Sequence, residues 1–404
     1  MKYEKVKIAE VCELINGIAF KSKDFQDNGI PVIKIANVKA NKMLLDNLKC
    51  VSVELANSKS KGRIKNGDIL LTLTGNRKEG GPDSWVGKAA IFRENGHYML
   101  NQRLCIVRPK NEIIDNEYLA YNLSSWNAQL YFINHATSSG GQANISPAII
   151  NNYEIPLPDI NTQKKISHIL SRIDLQIRIN ERINNNLLQQ LDSIYKELYP
   201  YQPSDSLPKG WQCVSLGSLC DSISIKHSFD KEELIFLNTG DVEDGCFLHD
   251  NYSLVKEMPG QAKKSIMLGD ILYSEIRPIN RHFAFVNFAA DDYVVSTKLM
   301  VIRSRGIASR RLYHFLTTQD VIDELQLEAE SRSGTFPQIR FENVQRLPII
   351  IAPPEIETKF AGILELYYRT IDSNIKENKN LIAVRDSLLP RIMSGELDVS
   401  NIDI

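Results

Sequence analysis

The residues able to carry out covalent chemistry form no recognisable catalytic motif in this chain of 404 residues. The stretch from Gly81 to Lys88 has the wrong spacing for a phosphate-binding loop, and Ala89 stands where such a loop needs a hydroxyl residue. The sequence contains no H-E-x-x-H, no G-x-S-x-G and no Asn-Pro-Pro-Tyr or Asp-Pro-Pro-Tyr motif of amino-methyltransferases. The seven histidines are scattered, so we expect a chain without a catalytic centre.

Composition limits the class of protein. The chain is 43% hydrophobic and 24% charged, as in an ordinary globular protein. No apolar run approaches the roughly 20 residues that span a bilayer, and the charged first residues are unlike a secretory signal. The six cysteines include no C-x-x-C pair, which argues against a zinc site or a disulfide framework. We therefore expect a reduced, cytoplasmic protein that binds no metal or cofactor itself.

The sequence contains an internal repeat, so that one half of the chain resembles the other. A shift of 194 residues aligns the segment from Ser139 to Ser193 with the segment from Ser333 to Ser387 without a gap. Shifts of 195 and 202 align Leu100 to Arg108 with Val295 to Arg303 and Gly67 to Leu70 with Gly269 to Leu272. Tandem copies of one module are expected to be related by an approximate twofold. Whatever the module binds, the chain should therefore bind twice.

Each copy ends in a long helix with a heptad pattern. From Gln163 to about Tyr199, large apolar residues alternate in steps of four and three, which predicts a rod of roughly 55 Å. A second helix is expected from Glu355 to about Met393. The first predicted seam is Ile166, Leu170, Ile173, Ile177, Asn180, Asn184, Leu187, Leu191, Ile194 and Leu198, and the shift of 194 gives Phe360, Leu364, Tyr367, Ile371, Asn374, Asn378, Leu381, Arg385, Leu388 and Ile392.

Both seams carry asparagine at the same two consecutive positions. Two helices related by a perpendicular pseudo-twofold run antiparallel, which would set Asn180 against Asn378 and Asn184 against Asn374. A buried asparagine weakens a coiled coil but penalises every register that leaves its amide unpaired. We predict that the four asparagines fix the register. The alternative is that they are solvated and the helices pack elsewhere.

The pattern predicts an α+β chain: two mixed α/β globular domains separated by two long helices that form an antiparallel coiled coil. Proline-rich segments give the expected boundaries: 1–158 and 201–352 for the globular domains, 159–200 for the first helix, and 353–404 for the second helix with its tail. Runs at Pro31 to Ile35, Asp68 to Leu73 and Leu104 to Val107 predict strands. The apolar spacing from Tyr118 to Ile133 is typical of helical structure.

The tandem order and the helix starts resemble the DNA-specificity subunit of type I restriction-modification enzymes. The first start is Ile155-Pro156-Leu157-Pro158 before Gln163, followed by the run from Ile169 to Asp174. The resemblance implies that each globular domain is a target-recognition domain for one part of a split double-stranded DNA site. It implies that the helices set the spacing and dock two modification subunits, which carry the S-adenosylmethionine chemistry, with restriction subunits as further partners.

Side chains on loops that follow equivalent strands in the two copies are the candidates for reading DNA. Arginine can pair with guanine, and asparagine or glutamine with adenine, through paired donors and acceptors. The alternative for each residue is a solvated loop charge. The candidates are Asn76, Arg77, Lys78, Ser139 and Gln142 in the first copy and Arg277, Asn280, Arg281, Arg332 and Ser333 in the second.

Two other functions fit the same helices. A coiled-coil scaffold that holds two non-DNA partners would need no basic surface. An autonomous DNA binder is disfavoured by the formal net charge of −1, because a strongly basic balance is typical of such proteins. Basic residues gathered on one face, or phosphate contacts supplied by a partner, would reconcile this charge with DNA recognition.

Overall fold

The structure is a computed structural model that describes residues 3–77, 84–110, 112–139, 142–332, 336–400 and 402. Its contacts divide the chain into two compact units. Unit 1 comprises Met1–Arg178 and Asn378–Ile404, and unit 2 comprises Ile179–Glu377. Each unit therefore contains one globular half and parts of both long helices. The four-segment division expected from the sequence, with the helices as separate spacers, differs from this grouping and stays a prediction.

Unit 1 is a mixed fold of short strands and helices. Its strands are β1 (Lys5–Lys7), β2 (Cys12–Asn16), β3 (Ile30–Ile33), β4 (Val38–Lys39), β5 (Lys42–Met43), β6 (Cys50–Val51), β7 (Arg63–Ile64), β8 (Ile69–Thr72), β9 (Thr74–Gly75), β10 (Ala89–Ile91), β11 (Tyr98–Leu100), β12 (Leu104–Pro109), β13 (Thr137–Ser139), β14 (Gln142–Asn144) and β15 (Glu154–Pro156). Its helices are α1 (Ile8–Val11), α2 (Val53–Ser58), α3 (Asn116–Ser124), α4 (Trp126–His135), α5 (Pro147–Asn151) and the first part of α6 (Ile160–Leu198).

Unit 2 is likewise a mixed fold of short strands and helices. Its strands are β16 (Gln212–Ser215), β17 (Cys220–Ile223), β18 (Glu233–Leu237), β19 (Val242–Glu243), β20 (Cys246–Phe247), β21 (Tyr252–Leu254), β22 (Ala262–Ser265), β23 (Ile271–Ser274), β24 (Phe283–Phe285), β25 (Tyr293–Ser296), β26 (Leu299–Ser304) and β27 (Pro348–Ile351). Its helices are α7 (Ser309–Leu316), α8 (Gln319–Arg332), α9 (Phe341–Val344) and the first part of α10 (Pro354–Met393).

The two units share one sheet topology. The order β10-β8-β12-β2 in unit 1 matches β24-β23-β26-β17 in unit 2, and every pair within these two sheets is antiparallel. The order β6-β3-β11-β7 matches β21-β18-β25-β22, and the central pair of each of these sheets is parallel. The internal repeat and the α+β fold class are therefore confirmed, as are the three strands predicted in the first half.

A buried ion pair recurs at the same place in each unit. Arg108 donates two hydrogen bonds to Asp68, at 2.8 and 2.9 Å, and Arg303 donates two to Asp270, at 2.7 and 2.9 Å. The aspartates follow the glycines Gly67 and Gly269, both at φ +91°, where glycine is favoured because it lacks a Cβ. Both carboxylates are buried and need such a bidentate partner. The Gly-Asp-Ile-Leu motif thus has a structural role in both copies.

The long helices run antiparallel in each unit. In unit 2, Asn374 contacts Asn184 and Tyr367 contacts Gln190. The residue numbers of contacting pairs therefore increase along α6 and decrease along α10. In unit 1 the amide of Asn378 donates to the carbonyl of Ile177 with the same polarity. Seam positions predicted from the heptads are buried, among them Ile166, Leu170, Ile177, Leu191, Phe360, Leu364, Ile371 and Ile392. The antiparallel arrangement is therefore confirmed.

The stretch predicted to be helical in the first half is helical and consists of two helices. The stretch from Tyr118 to Ile133 is divided between α3 and α4 at Ser125. Ser125 has extended backbone angles, φ −68° and ψ 152°, and its hydroxyl accepts from the amide of Ala128 as an N-cap. The apolar spacing continues across the break because both helices pack on the same core. Capping chemistry at a single serine therefore decided where the backbone turns.

No helix in the described part of the chain is both long enough and apolar enough to cross a membrane.

Candidate nucleic-acid interface

In unit 1, strand pairing brings the two predicted loops together. Strand β9 pairs with β14, and β14 pairs with β13, so the segment around Thr74 and the hairpin from Thr137 to Asn144 form one small sheet. The hydroxyl of Thr74 lies 3.2 Å from Oδ1 of Asn144. These segments are far apart in sequence, and only the register of the sheet places them side by side. The described first-copy candidates therefore lie on this small sheet or directly after β9.

The glycine before Asn76 allows a close approach of two chain segments. The amide of Asn76 donates to the carbonyl of Ser84, and the amide of Val86 donates to the carbonyl of Asn76, both at 2.8 Å. A Cβ on Gly75 would lie 2.7 Å from the backbone nitrogen of Val86, so a larger residue would force the segments apart. The side chain of Asn76 contacts the hydroxyl of Ser84 at 3.1 Å. Asn76 is thus held by contacts of its backbone and its side chain with the segment from Ser84 to Val86.

Arg77 is partly buried, and its guanidinium donates to the carbonyl of Ala136, which caps the end of α4. Its Nε is buried and has no hydrogen-bond partner among the described residues. This arrangement ties the segment after β9 to the start of the β13–β14 hairpin. The geometry therefore gives Arg77 an anchoring contact within the protein in addition to any contact that it makes with DNA.

The other first-copy candidates lie on the hairpin or beyond the described residues. Gln142 is exposed in β14 and lies opposite Ser139 in the register. Ser139 ends β13, and its backbone alone is described. Lys78 lies outside the described residues. Thr74 and Asn144 were missed by the sequence reasoning, although both are polar residues on the same small sheet. The signal that could have found them is the pairing of β9 with β14.

In unit 2, three of the five candidates occupy a tight turn after β23. Arg277 and Arg281 have left-handed backbone angles, with φ of 44° and 57°, and flank the single 3-10 turn Pro278–Asn280. Such angles are uncommon for residues other than glycine, asparagine and aspartate. The amide of Arg277 donates to the carbonyl of Pro337 at 3.2 Å, and Ile276 bridges Gln338. The turn is thus attached to the segment that matches the hairpin of unit 1.

The side chains in this turn differ in their surroundings. Arg277 and Asn280 are exposed. Arg281 is partly buried and forms an ion pair with Asp244 at 2.8 Å, and it donates to Gln319 at 3.2 Å. Its guanidinium is therefore already partnered within unit 2. Arg332 is the last residue of α8, with only its backbone described, and Ser333 lies outside the described residues.

The described residues include no group of three or more His, Cys, Asp or Glu side chains that could hold a metal ion. Burial raises the pKa of the Cys12 and Cys105 thiols to about 12 and that of Cys220 to about 11, so these thiols are protonated at neutral pH. What both edges present is a set of polar side chains with hydrogen-bonding groups, which suits recognition of a partner surface.

Two similar units, each with a polar edge after the same strand, define a repeated recognition module on antiparallel helices. The family model described as "Type I restriction modification DNA specificity domain" matches residues 1–189 and 208–383. The chain belongs to this family.

Individual relatives agree with the family match. The chain is 41% identical over 181 residues to the type I restriction enzyme HindI specificity subunit of Haemophilus influenzae, a match that covers 44% of this chain and 39% of the relative. It therefore spans well under half the length of that relative. It is 22% identical over 417 residues to a putative type I restriction enzyme MjaX specificity subunit of Methanocaldococcus jannaschii, covering 98% and 94% of the two chains.

A solved structure shares the fold. The S subunit of a type I restriction-modification system from M. genitalium aligns with a TM-score of 0.55 at 15% identity, covering 98% of this chain and 97% of the other. At that identity the likeness concerns the fold alone.

Proposed function

We propose that this chain is the DNA-recognition subunit of a type I restriction-modification enzyme. Each globular half reads one part of a bipartite double-stranded site, and the helices set the distance between the parts. Two modification subunits dock on the chain and supply the methyl transfer with S-adenosylmethionine, which they bind. Restriction subunits join the same assembly. The chain itself contributes recognition and spacing and carries no catalytic centre.

The observation that supports this proposal is the repetition of one recognition edge. In each unit the strand that directly follows the buried aspartate, β8 after Asp68 or β23 after Asp270, leads into a segment that pairs with a later polar segment. Arg and Asn lie on the first segment in both copies, Arg77 and Asn76 in one and Arg277 and Asn280 in the other. These side chains can present paired donors and acceptors to base edges.

The charge of the two halves suggests how they share phosphate contacts. Basic residues outnumber acidic ones in residues 1–158, whereas acidic residues outnumber basic ones in residues 201–352. The net charge of −1 is therefore the sum over a basic first half and an acidic second half, among other segments. Phosphate contacts dominate non-specific affinity, so the first half is expected to contribute more of the salt-dependent binding, and the docked partners the rest.

The test compares the chain alone with the chain co-purified with its modification subunits. DNA binding is titrated at several salt concentrations, with duplexes that carry the target found by methylome sequencing of the host with and without this gene. The proposal expects tight, sequence-dependent and strongly salt-dependent binding in the complex. A scaffold for non-DNA partners would show no steep salt dependence in either state. Loss of the gene without loss of any methylated motif would overturn the proposal.

A further inference from the structure

Asp174 on α6 is a junction between three other elements of unit 1. Its carboxylate accepts hydrogen bonds from Nδ2 of Asn41 at 2.8 Å, from the hydroxyl of Tyr121 at 2.6 Å and from Nη1 of Arg385 at 2.9 Å. The residue is only 7% exposed. A buried carboxylate requires such partners because desolvation of its charge is otherwise costly. Three donors from three elements therefore converge on a single acceptor of the long helix.

Each donor belongs to a different part of the unit. Asn41 lies in the turn between β4 and β5 at φ 55°, and its amide donates to the carbonyl of Ala89 in β10, which fixes the turn to the four-stranded sheet. Tyr121 lies on α3, which packs in the core of unit 1. Arg385 lies on α10 and also contacts Asp386. The contacts of Asp174 thus join the sheet, the helical layer and both long helices.

The junction depends on the chemistry of a carboxylate. Two oxygens with about four lone pairs can accept from three donors at once. Asparagine at this position would keep one oxygen but direct its NH2 group toward a donor, since all three partners donate. The guanidinium of Arg385 would also lose the charge of Asp174 and keep only that of Asp386. The isosteric change Asp174→Asn therefore disrupts the junction with almost no change in volume.

The second unit fastens its globular part to the helices differently. The repeat places Tyr368 at the position of Asp174, and the guanidinium of Arg310 lies 4.7 Å from that ring. Arg310 forms an ion pair with Asp372 on α10. The turn that matches Asn41 holds Asp244, which pairs with Arg281. Only in unit 1, among the described residues, do hydrogen bonds from the turn, the short helix and the second long helix meet on one carboxylate.

We propose that Asp174 is a positioning residue that holds the first recognition domain at a fixed angle on the long helices and so restricts the number of base pairs allowed between the two parts of the target. This rests on the proposed function. The side chain touches no DNA. Its effect passes through Asn41 and Tyr121 to the four-stranded sheet, whose strand β8 leads into the recognition edge at β9. It therefore governs the distance between half-sites and leaves the choice of bases within each half-site unchanged.

The test uses the complete complex with its modification subunits and duplexes in which the two half-sites are separated by the natural number of base pairs or by one more or one fewer. Asp174→Asn is expected to lower the preference for the natural spacing by about tenfold, because weakening a coupled contact changes such a ratio by this order. Tyr121→Phe, which removes one donor and one oxygen atom, is expected to lower it by less. The preference for bases within each half-site should stay as in the wild type.

Asp68→Asn is the matched control, because Asp68 is an equally buried carboxylate whose bidentate partner Arg108 lies inside the sheet, away from the helices. It should lower the melting temperature and keep the wild-type spacing preference. If neither Asp174→Asn nor Tyr121→Phe changes the spacing preference more than Asp68→Asn does, the positioning role is overturned. If the wild-type complex itself shows no preference for a bipartite site, the proposed function fails instead.

Discussion

Nδ2 of Asn374 lies 2.8 Å from Oδ1 of Asn184, so two asparagines predicted to face each other across the long helices are in direct contact. One turn away, Asn180 donates to Oε2 of Glu377 at 3.0 Å, and in unit 1 Asn378 donates to the carbonyl of Ile177. The four amides are thus engaged between α6 and α10 and are not simply solvated. Their role in fixing the register stays a prediction.

Replacement of Asn184 and Asn374 together by leucine is expected to raise the melting temperature by about 2 to 4 °C, since a polar pair in a heptad seam costs stability relative to packed apolar residues. Thermal unfolding followed by circular dichroism measures the change. Asn185→Leu, at an exposed position of the same helix, is the control and should leave the transition in place. A lower melting temperature for the double variant would show that the amides stabilise the helices outright.

Arg311 is expected to be essential for the stability of unit 2. Its side chain is 0% exposed, its Nη2 donates to the carbonyl of Ile350 at 3.2 Å, and its guanidinium lies 4.4 Å from the ring centroid of Tyr199. Glu357 lies 3.6 Å away. Arg311→Ala should lower the free energy of unfolding by about 3 kcal/mol or more, because it leaves a cavity at a fully buried position and removes the cation beside the partly buried carboxylate of Glu357.

Urea denaturation of the purified chain measures this loss. Arg305→Ala is the control, because Arg305 is largely exposed in its ion pair with Asp221 and such pairs contribute little. Arg311→Met should lose less than Arg311→Ala, since it retains most of the volume. Equal stability of Arg311→Ala and Arg305→Ala would contradict the prediction. Tyr118 is the third residue of α3, as Arg311 is of α7, and its hydroxyl donates to the carbonyl of Pro156 at the end of β15. The two units therefore tie the corresponding helix position to a strand with different side chains.

His314 makes unit 2 sensitive to acid. Burial, and to a lesser degree the charge of Arg311, lowers the pKa of His314 from 6.5 to about 3. Asp192 lies 3.7 Å from its Nε2, and the hydroxyl of Tyr368 lies 3.3 Å from its Nδ1. Because the folded-state pKa lies below the unfolded one, the neutral ring is fully compatible with folding above about pH 6.5. Stability is then lost as the pH falls from there toward 3, by up to about 1.4 kcal/mol per pH unit from this group.

The measurement is the urea midpoint of the wild type and of His314→Gln between pH 7.5 and 4.5. The variant should be less stable at pH 7.5 but should lose less stability on acidification, because its side chain does not titrate. His168→Gln, at an exposed position of α6, should follow the wild-type profile. Parallel profiles for the wild type and His314→Gln would refute the assignment of this pH dependence to His314.

Arg77→Ala is expected to weaken binding of the complex mainly through the first half-site, by about tenfold, because the change removes a potential base contact and the anchor to Ala136. Competition titrations with duplexes mutated in one half-site at a time give the readout. Arg281→Ala, at the matching place in unit 2, should affect the other half-site. An equal loss on all DNA sequences would instead indicate that Arg77 contacts phosphate.

The sequence by itself determined the repeated architecture. The heptads and the matching segments were sufficient to predict two mixed halves, two long helices ending close to Leu198 and Met393, and their antiparallel sense. These features follow from the spacing of apolar residues within continuous segments, because that spacing indicates which face of a helix or strand is buried. The Gly-Asp-Ile-Leu motif is likewise present in both copies of the sequence, although its buried ion pair is not evident from the motif.

Only the tertiary structure decided which distant residues meet. The convergence of Asn41, Tyr121 and Arg385 on Asp174, the pairing of Thr74 with Asn144, and the contact between Arg281 and Asp244 join segments tens to hundreds of residues apart. No local pattern marks such partners, because strand register and helix packing fix them only after the chain has folded. The same reason explains why a charged residue, Arg385, lies in a seam predicted to be apolar. Its partner Asp174 is on the other long helix, so the sequence around Arg385 does not identify it.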